Sequence, residues 1–209
     1  MKNIFRTLLI SFSLLSISCV SDDDYVIPNI RTAFFQEDFQ TATNNTNADF
    51  VGWTNFAEEG TWLWREKTFT SSGETNGYVE FSAFNSGAAV NKVWLITPAQ
   101  DLSAVDKPFV TFNVCQHHLD VDSPDNSLEV LISTDYDGTD VLGATWTSLN
   151  ADNLPTMDTD WYDFLRSEIN LEAYKGQTVH VAFKFIGSGT DTTLDGAFQV
   201  DEVIFFNEK

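Results

Sequence analysis

Three histidines occur in the 209 residues, and two of them, His117 and His118, stand together with Asp120, Asp122 and Asp125 close behind. Imidazoles followed by carboxylates are the raw material of a metal site or an acid–base pair. Strand alternation sends adjacent side chains to opposite faces, so His117 and His118 are not expected to share one ion. The loop after them lacks the sixth-position Gly and twelfth-position Glu of an EF-hand, so a polar loop leaving a strand is the preferred reading. His180 alternates with Val179 and Val181 and reads as a sheet-face residue. The chain has neither a GxSxG nor an HExxH motif, so neither a serine nucleophile nor a helical zinc site is indicated. With 31 acids, some carboxylate pair always sits at glycosidase spacing, and the sequence selects none of them.

Six tryptophans (Trp53, Trp62, Trp64, Trp94, Trp146 and Trp161) offer a different chemistry. An exposed indole stacks on the apolar face of a sugar ring while polar neighbours fix the hydroxyls. Trp94 lies in an apolar run and reads as core. Trp62 and Trp64 flank Leu63 on one face of a strand, and Trp161 sits between Asp160 and Tyr162 in a polar stretch. Trp62, Trp64 and Trp161 are therefore the candidate ligand-binding residues.

These side chains must be positioned by a folded domain, and composition allows one. Apolar residues make up 43% and aromatics 14%, enough for a sizeable core. The formal charge of −20 excludes a surface built to neutralise phosphates, so nucleic acid is not an expected partner. No apolar run reaches the roughly 18–20 residues a membrane span needs.

Residues 1–18 read as a secretory signal peptide: Lys2 and Arg6 come first, then the apolar run from Leu8 to Ile17, then small Ser18. Its removal leaves 9 bases against 31 acids and takes the net charge from −20 to −22. Such a chain is repelled by anionic membrane surfaces. Residues 19–33, with Asp22-Asp23-Asp24 and Pro28, read as an acidic tether.

Residues 34–209 read as one domain. Val110, Phe112 and Val114 alternate with Thr111 and Asn113, Leu128, Val130 and Ile132 with Glu129, Leu131 and Ser133, and Val179, Val181, Phe183 and Phe185 with His180, Ala182 and Lys184, while Phe198 and Val200 open a similar final run. Turn clusters such as Asp122-Ser123-Pro124-Asp125-Asn126 and Asp135-Tyr136-Asp137-Gly138 separate them. Roughly ten short strands and one helical turn near Leu171–Tyr174 are expected, which is the pattern of a sandwich or barrel. Cys115, in FVTFNVCQH, reads as a small buried or half-buried hydrophobe with no basic neighbour closer than His117 to activate it.

An ordered series of motifs carries a resemblance. It runs through Phe35-Gln36-Glu37-Asp38-Phe39, Gly52-Trp53, Phe84-Asn85-Ser86-Gly87, Val93-Trp94-Leu95-Ile96-Thr97-Pro98 and Leu128–Gly138, and closes on Ala173-Tyr174-Lys175-Gly176 and Val200-Asp201-Glu202-Val203. In this order they resemble the choice-of-anchor J family, related to the cleaved adhesin domains of secreted bacterial proteins. The resemblance implies an all-β, jelly-roll β-sandwich akin to carbohydrate-binding modules. A jelly roll commonly brings its first and last strands together, where Glu37 and Asp38 would meet Asp201 and Glu202. Related modules hold a structural Ca²⁺ in this way, so Glu37, Asp38 and Asp201 are the expected metal residues. At the N-terminus, Ile17-Ser18-Cys19 resembles a lipobox, and Ser21-Asp22-Asp23-Asp24 resembles the signal that sends lipoproteins to the outer face of the Gram-negative outer membrane. That resemblance makes Cys19 the lipidated residue and outer-membrane lipid a partner. The expected function is a non-enzymatic surface module binding a glycan or a surface protein. The alternatives are a glycoside hydrolase with an unidentified carboxylate pair and a structural subunit of a surface assembly.

Overall fold

The computed structural model describes residues 30–208; the leader, Cys19 and the acidic run lie outside the described residues. The chain forms β1 (Arg31–Glu37), β2 (Thr54–Glu59), β3 (Arg65–Ser71), β4 (Glu74–Ser82), β5 (Asn91–Ile96), β6 (Gln100–Asp101), β7 (Pro108–His117), β8 (Ser127–Ser133), β9 (Thr147–Ser148), β10 (Leu165–Asn170), β11 (Thr178–Gly187) and β12 (Ala197–Glu208). Among the described residues the one helical segment is a 3-10 turn at Glu172–Tyr174, where the sequence suggests it. The first strand starts at Arg31, three residues before the expected domain boundary, because the Arg31 guanidinium is tied to Glu168 and Glu208.

Two antiparallel six-stranded sheets face each other, giving the all-β jelly-roll sandwich. One runs β10-β7-β12-β4-β3, with β1 also on β12. The other runs β2-β5-β11-β8-β9, with β6 on β11. The alternation in the sequence has its physical cause here. Val110, Phe112 and Val114 of β7 and Val179, Val181, Phe183 and Phe185 of β11 are all fully buried in one shared core. Phe112 meets Phe183 edge-on at 4.9 Å, and Phe81 meets Phe185 at 4.5 Å, so aromatic pairs from opposite sheets fill the interlayer space.

Strand β12 organises the first sheet. Along one edge it pairs with β7; along the other it pairs first with β4 (Ala197–Val200) and then with β1 (Val203–Glu208). The switch of partner falls on a bulge between Asp201 and Ile204, where Glu202 takes φ 48°. Beyond the bulge, β4 peels away and β1 takes its place. The turn that leaves β1 is sharp: Phe39 has φ 52°, and its N–H donates to Glu37 Oε1 at 2.9 Å. Gly77 of β4 passes this turn so closely that a Cβ would lie 2.1 Å from the Phe39 carbonyl oxygen. Only glycine fits there.

Trp64 is fully buried at the head of β3, its indole N–H donating to the Val93 carbonyl at 3.1 Å. This corrects the reading of Trp64 as a ligand-binding residue: the ring is enclosed by the core and cannot stack on a sugar. Trp64→Ala is expected to cost about 3–5 kcal/mol, for lost burial plus the cavity left behind. Chemical denaturation followed by circular dichroism measures it; a loss below about 1 kcal/mol would contradict a core role.

Candidate functional site

The outer face of the first sheet is polar, yet largely covered. Tyr78 and Glu80 of β4, Cys115 and His117 of β7, and Gln199 of β12 alternate with core residues and so project away from the core. Glu80 is the hub. Its Oε2 accepts from Gln199 Nε2 at 2.7 Å and lies 3.2 Å from His117 Nε2, while Oε1 is 3.4 Å from Lys67 Nζ. Burial pushes the Glu80 carboxyl up, but the bonds from His117 and Gln199 and the charge of Lys67 outweigh it and hold the group below the ordinary glutamate range. Glu80 therefore stays ionised and anchored. Cys115 is buried, and its thiol donates to Gln199 Oε1 at 3.2 Å. Burial first, then the Glu80 charge, push that thiol up to about 12. The residue is inert as expected, but it sits on the outward side of the sheet rather than in the core cluster. Burial and the same glutamate push the Tyr78 hydroxyl up to about 12.

The two histidines overturn the expectation that they point apart. Strand β7 ends at His117, and His118 takes φ 56°, which swings its ring back beside its neighbour. The two Nδ1 atoms are 2.8 Å apart. The Glu80 carboxylate only accepts, so His117 presents an Nε2 proton to it and turns its Nδ1 toward His118. Each imidazole also backs an aromatic ring. His117 stacks on Tyr162 at 4.9 Å and 27°, and His118 on Trp161 at 4.0 Å and 32°.

Trp161 and Tyr162 are 53% and 54% exposed despite these contacts. Buried Gln116 sets their position. Its Nε2 donates to the Thr159 carbonyl and its Oε1 accepts from Leu119 N, while its own carbonyl accepts from Tyr162 N at 2.9 Å. One side chain at the end of the core thus braces both the segment before β10 and the loop after β7. The result is a fixed aromatic shelf, with Phe84, also exposed, nearby. Beside it opens a cavity of about 350 Å³ walled by Phe84, His117 and His118, with Asp120 and Asp195 among its lining.

Of the three candidate tryptophans, only Trp161 lies on this shelf. Trp62 is half-buried, packed against the core, with the Arg65 guanidinium 5.5 Å above its ring. Tyr162, Gln116, Glu80 and Gln199 were not singled out by sequence. The adjacent Trp161-Tyr162 pair in a polar stretch was the one usable signal.

The expected metal residues meet only in part. Strands β1 and β12 do pair, with Glu37 opposite Val203. The Glu37 carboxylate, however, turns to Phe39 N. Asp201 is buried, accepting from Asn76 Nδ2 at 2.9 Å and from Glu202 N at 2.7 Å. Gln40 Nε2 bridges the Asp38 carbonyl at 3.0 Å and Asn76 Oδ1 at 2.7 Å, which makes an oxygen-rich corner. Among the described residues, no group of three or more His, Cys, Asp or Glu side chains is gathered as a metal site.

No protein-family profile matches the chain, and no curated protein sequence matches it. Among solved structures, the chain is similar to the K1 cleaved adhesin domain of Lys-gingipain from Porphyromonas gingivalis W83. They share 21% identity and a TM-score of 0.50, over 82% of this chain and 96% of that one. The K2 cleaved adhesin domain of Lys-gingipain gives 18% identity and a TM-score of 0.51, over 83% and 98%. TmCBM61, solved in complex with β-1,4-galactotriose, gives 12% identity and a TM-score of 0.46, over 81% and 94%. The two adhesin domains establish a shared, adhesin-like β-sandwich fold.

Burial first, opposed by its Asn76 and Glu202 hydrogen bonds and reinforced by the charges of Glu202 and Asp38, raises the Asp201 carboxyl above the ordinary aspartate range. Between the unfolded and the folded pKa, the native chain therefore binds more protons than the unfolded one. For this residue, stability rises as pH falls through that window. In chelator at neutral pH, Asp201→Asn is expected to melt at or above the parent, with the gap closing toward about pH 4. A lower melting temperature at neutral pH would show that the hydrogen bonds of the carboxylate outweigh its crowding.

Proposed function

We propose that this chain is a non-enzymatic binding module, anchored by acylated Cys19 on the outer face of the outer membrane, and that its ligand is a glycan. The observation that carries the reading is the Trp161–Tyr162 shelf. Two large rings at adjacent positions are exposed, each packed on a histidine, Trp161 on His118 and Tyr162 on His117. A sugar face can stack on rings already in place, so binding does not have to order them first. Polar residues of the adjacent cavity, Ser82 and Thr192, suit ring hydroxyls.

The fold also supports the orientation. Arg31, the first residue of β1, pairs with Glu208 at the end of β12, whereas Ala197 at its start pairs with His117. Twelve residues of strand separate the two ends by about 36 Å. On this reading the tether joins the domain at the Arg31 end and the shelf is at the other. Acylation of Cys19 supplies the attachment that a chain of this charge does not make electrostatically, each buried methylene contributing about 0.8 kcal/mol.

The two titratable groups beneath the shelf do not make a nucleophile and acid pair. Burial holds Cys115 as a thiol, a poor nucleophile, and Glu80 is ionised and bonded to Gln199 and His117, so it is no general acid. Calcium is assigned a structural role at the corner where β12 changes partner. Asp38 and Asp201, with carbonyl and amide oxygens, would hold it, leaving Glu37 to its turn. The ion would screen the mutual repulsion of these acids.

Three outcomes follow. On a glycan array, Trp161→Ala should weaken binding about thirtyfold, the loss expected of a central aromatic anchor; undiminished binding would remove the shelf from the account. Cys19→Ala should move the protein out of the membrane fraction, and retention there would mean that the anchor lies elsewhere. Adding calcium should raise the melting temperature of the parent but not of Asp201→Asn. Equal shifts, or none, would remove the ion.

A further inference from the structure

The cavity beside the shelf has a charge that the shelf alone does not explain. Asp120 lies in the loop after β7, and Asp195 sits two residues before β12. Both line a cavity that contains no Lys or Arg. Among the described residues, neither acid makes a salt bridge. Burial, then the charge of Asp120, raise the Asp195 carboxyl above the ordinary aspartate range. The charge that offsets it is His118, whose ring is already engaged by His117 and Trp161. Phe84, 58% exposed, supplies a flat apolar wall.

We propose that this cavity is a subsite for a primary ammonium group carried on a sugar ring, so that the glycan recognised contains an unacetylated amino sugar. The proposal rests on the reading of the shelf as a glycan site and names which glycan. An ammonium between Asp120 and Asp195 offsets two like charges at once, and the aromatic wall attracts a cation through its ring face. The cavity volume of about 350 Å³ accommodates a ring body, and Ser82 and Thr192 offer hydroxyls to it. A neutral sugar leaves the two carboxylates uncompensated, and an anionic one is repelled. A lysine side chain offers the charge without a ring to fill the space or meet the hydroxyls.

The test is calorimetric titration of the full chain in detergent at pH 6.5. The probes are the β-1,4 tetramer of glucosamine, its fully N-acetylated counterpart and a tetralysine peptide. The amine-bearing tetramer is expected to bind at least tenfold more tightly than the acetylated one, with a preference that shrinks as salt rises. Asp195→Asn and Asp120→Asn should each reduce that preference toward parity while leaving the acetylated tetramer's affinity unchanged. Trp161→Ala should weaken both sugars. Asp120 is exposed, so its variant carries the test if Asp195→Asn folds poorly. Equal affinity for the two tetramers overturns the subsite while the glycan shelf stands. Binding of neither tetramer overturns both. Binding of tetralysine without either sugar overturns the proposal in favour of a basic peptide, and hydrolysis of the tetramer overturns it in favour of an enzyme.

Discussion

One strand sets the layout of the molecule. Strand β12 is the longest of the described strands and has β7 along the whole of one side, but it shares the other between β4 and β1. A flat ladder cannot change partner without a local break, and the bulge at Asp201–Glu202 is that break. The consequences run in both directions along the strand. Toward Glu208 the ladder continues into β1 and is locked by Arg31, whose guanidinium bridges Glu208 and Glu168. Toward Ala197 it reaches His117 and Ser82, where the loops carrying the aromatic shelf emerge. The start of β1 and the aromatic shelf thus lie at opposite ends of one strand.

At the far end, order is produced by polar contacts rather than by burial. Trp161 and Tyr162 stay exposed because Gln116 holds the backbone beneath them and the histidines fill the space behind them. Glu80 closes the system: its carboxylate takes the His117 Nε2 side of the ring, which leaves Nδ1 facing His118. The carboxylate is ionised because Gln199 and Lys67, together with His117, surround it. A chain of such negative charge would ordinarily place acids at its surface at random. Here one acid is built into the support of the shelf, while Asp120 and Asp195 are left facing the cavity beside it.

How far the sequence revealed this depends on the range of the interactions. Alternation in β7, β8 and β11 is a local consequence of one buried face, so the strands and the sandwich were legible from periodicity. The pairing of first and last strands followed from the resemblance, and the register of β1 on β12 agrees with it. Position relative to the second layer is not local, and there the sequence was ambiguous. Trp94 is buried as expected, but on the outer side of its sheet, under Trp146 and Tyr136. Trp64, spaced like a surface residue, is deep in the core. Alternation does not predict the histidine pair, because β7 ends at His117 and the left-handed His118 cancels it. Glu80 and Gln199 carried no signal, since their importance comes from a partner 119 residues away.

A ligand held by the shelf touches only the loops at one end of the sandwich. Heteronuclear NMR of the isotope-labelled chain, titrated with neutral and amine-bearing oligosaccharides, reads that contact directly. The predicted result is a set of shift changes confined to Phe84, His117, His118, Trp161, Tyr162 and Asp195, including the Trp161 indole N–H. Changes centred on the outer face of the second sheet, around Trp94 and Trp146, would contradict it.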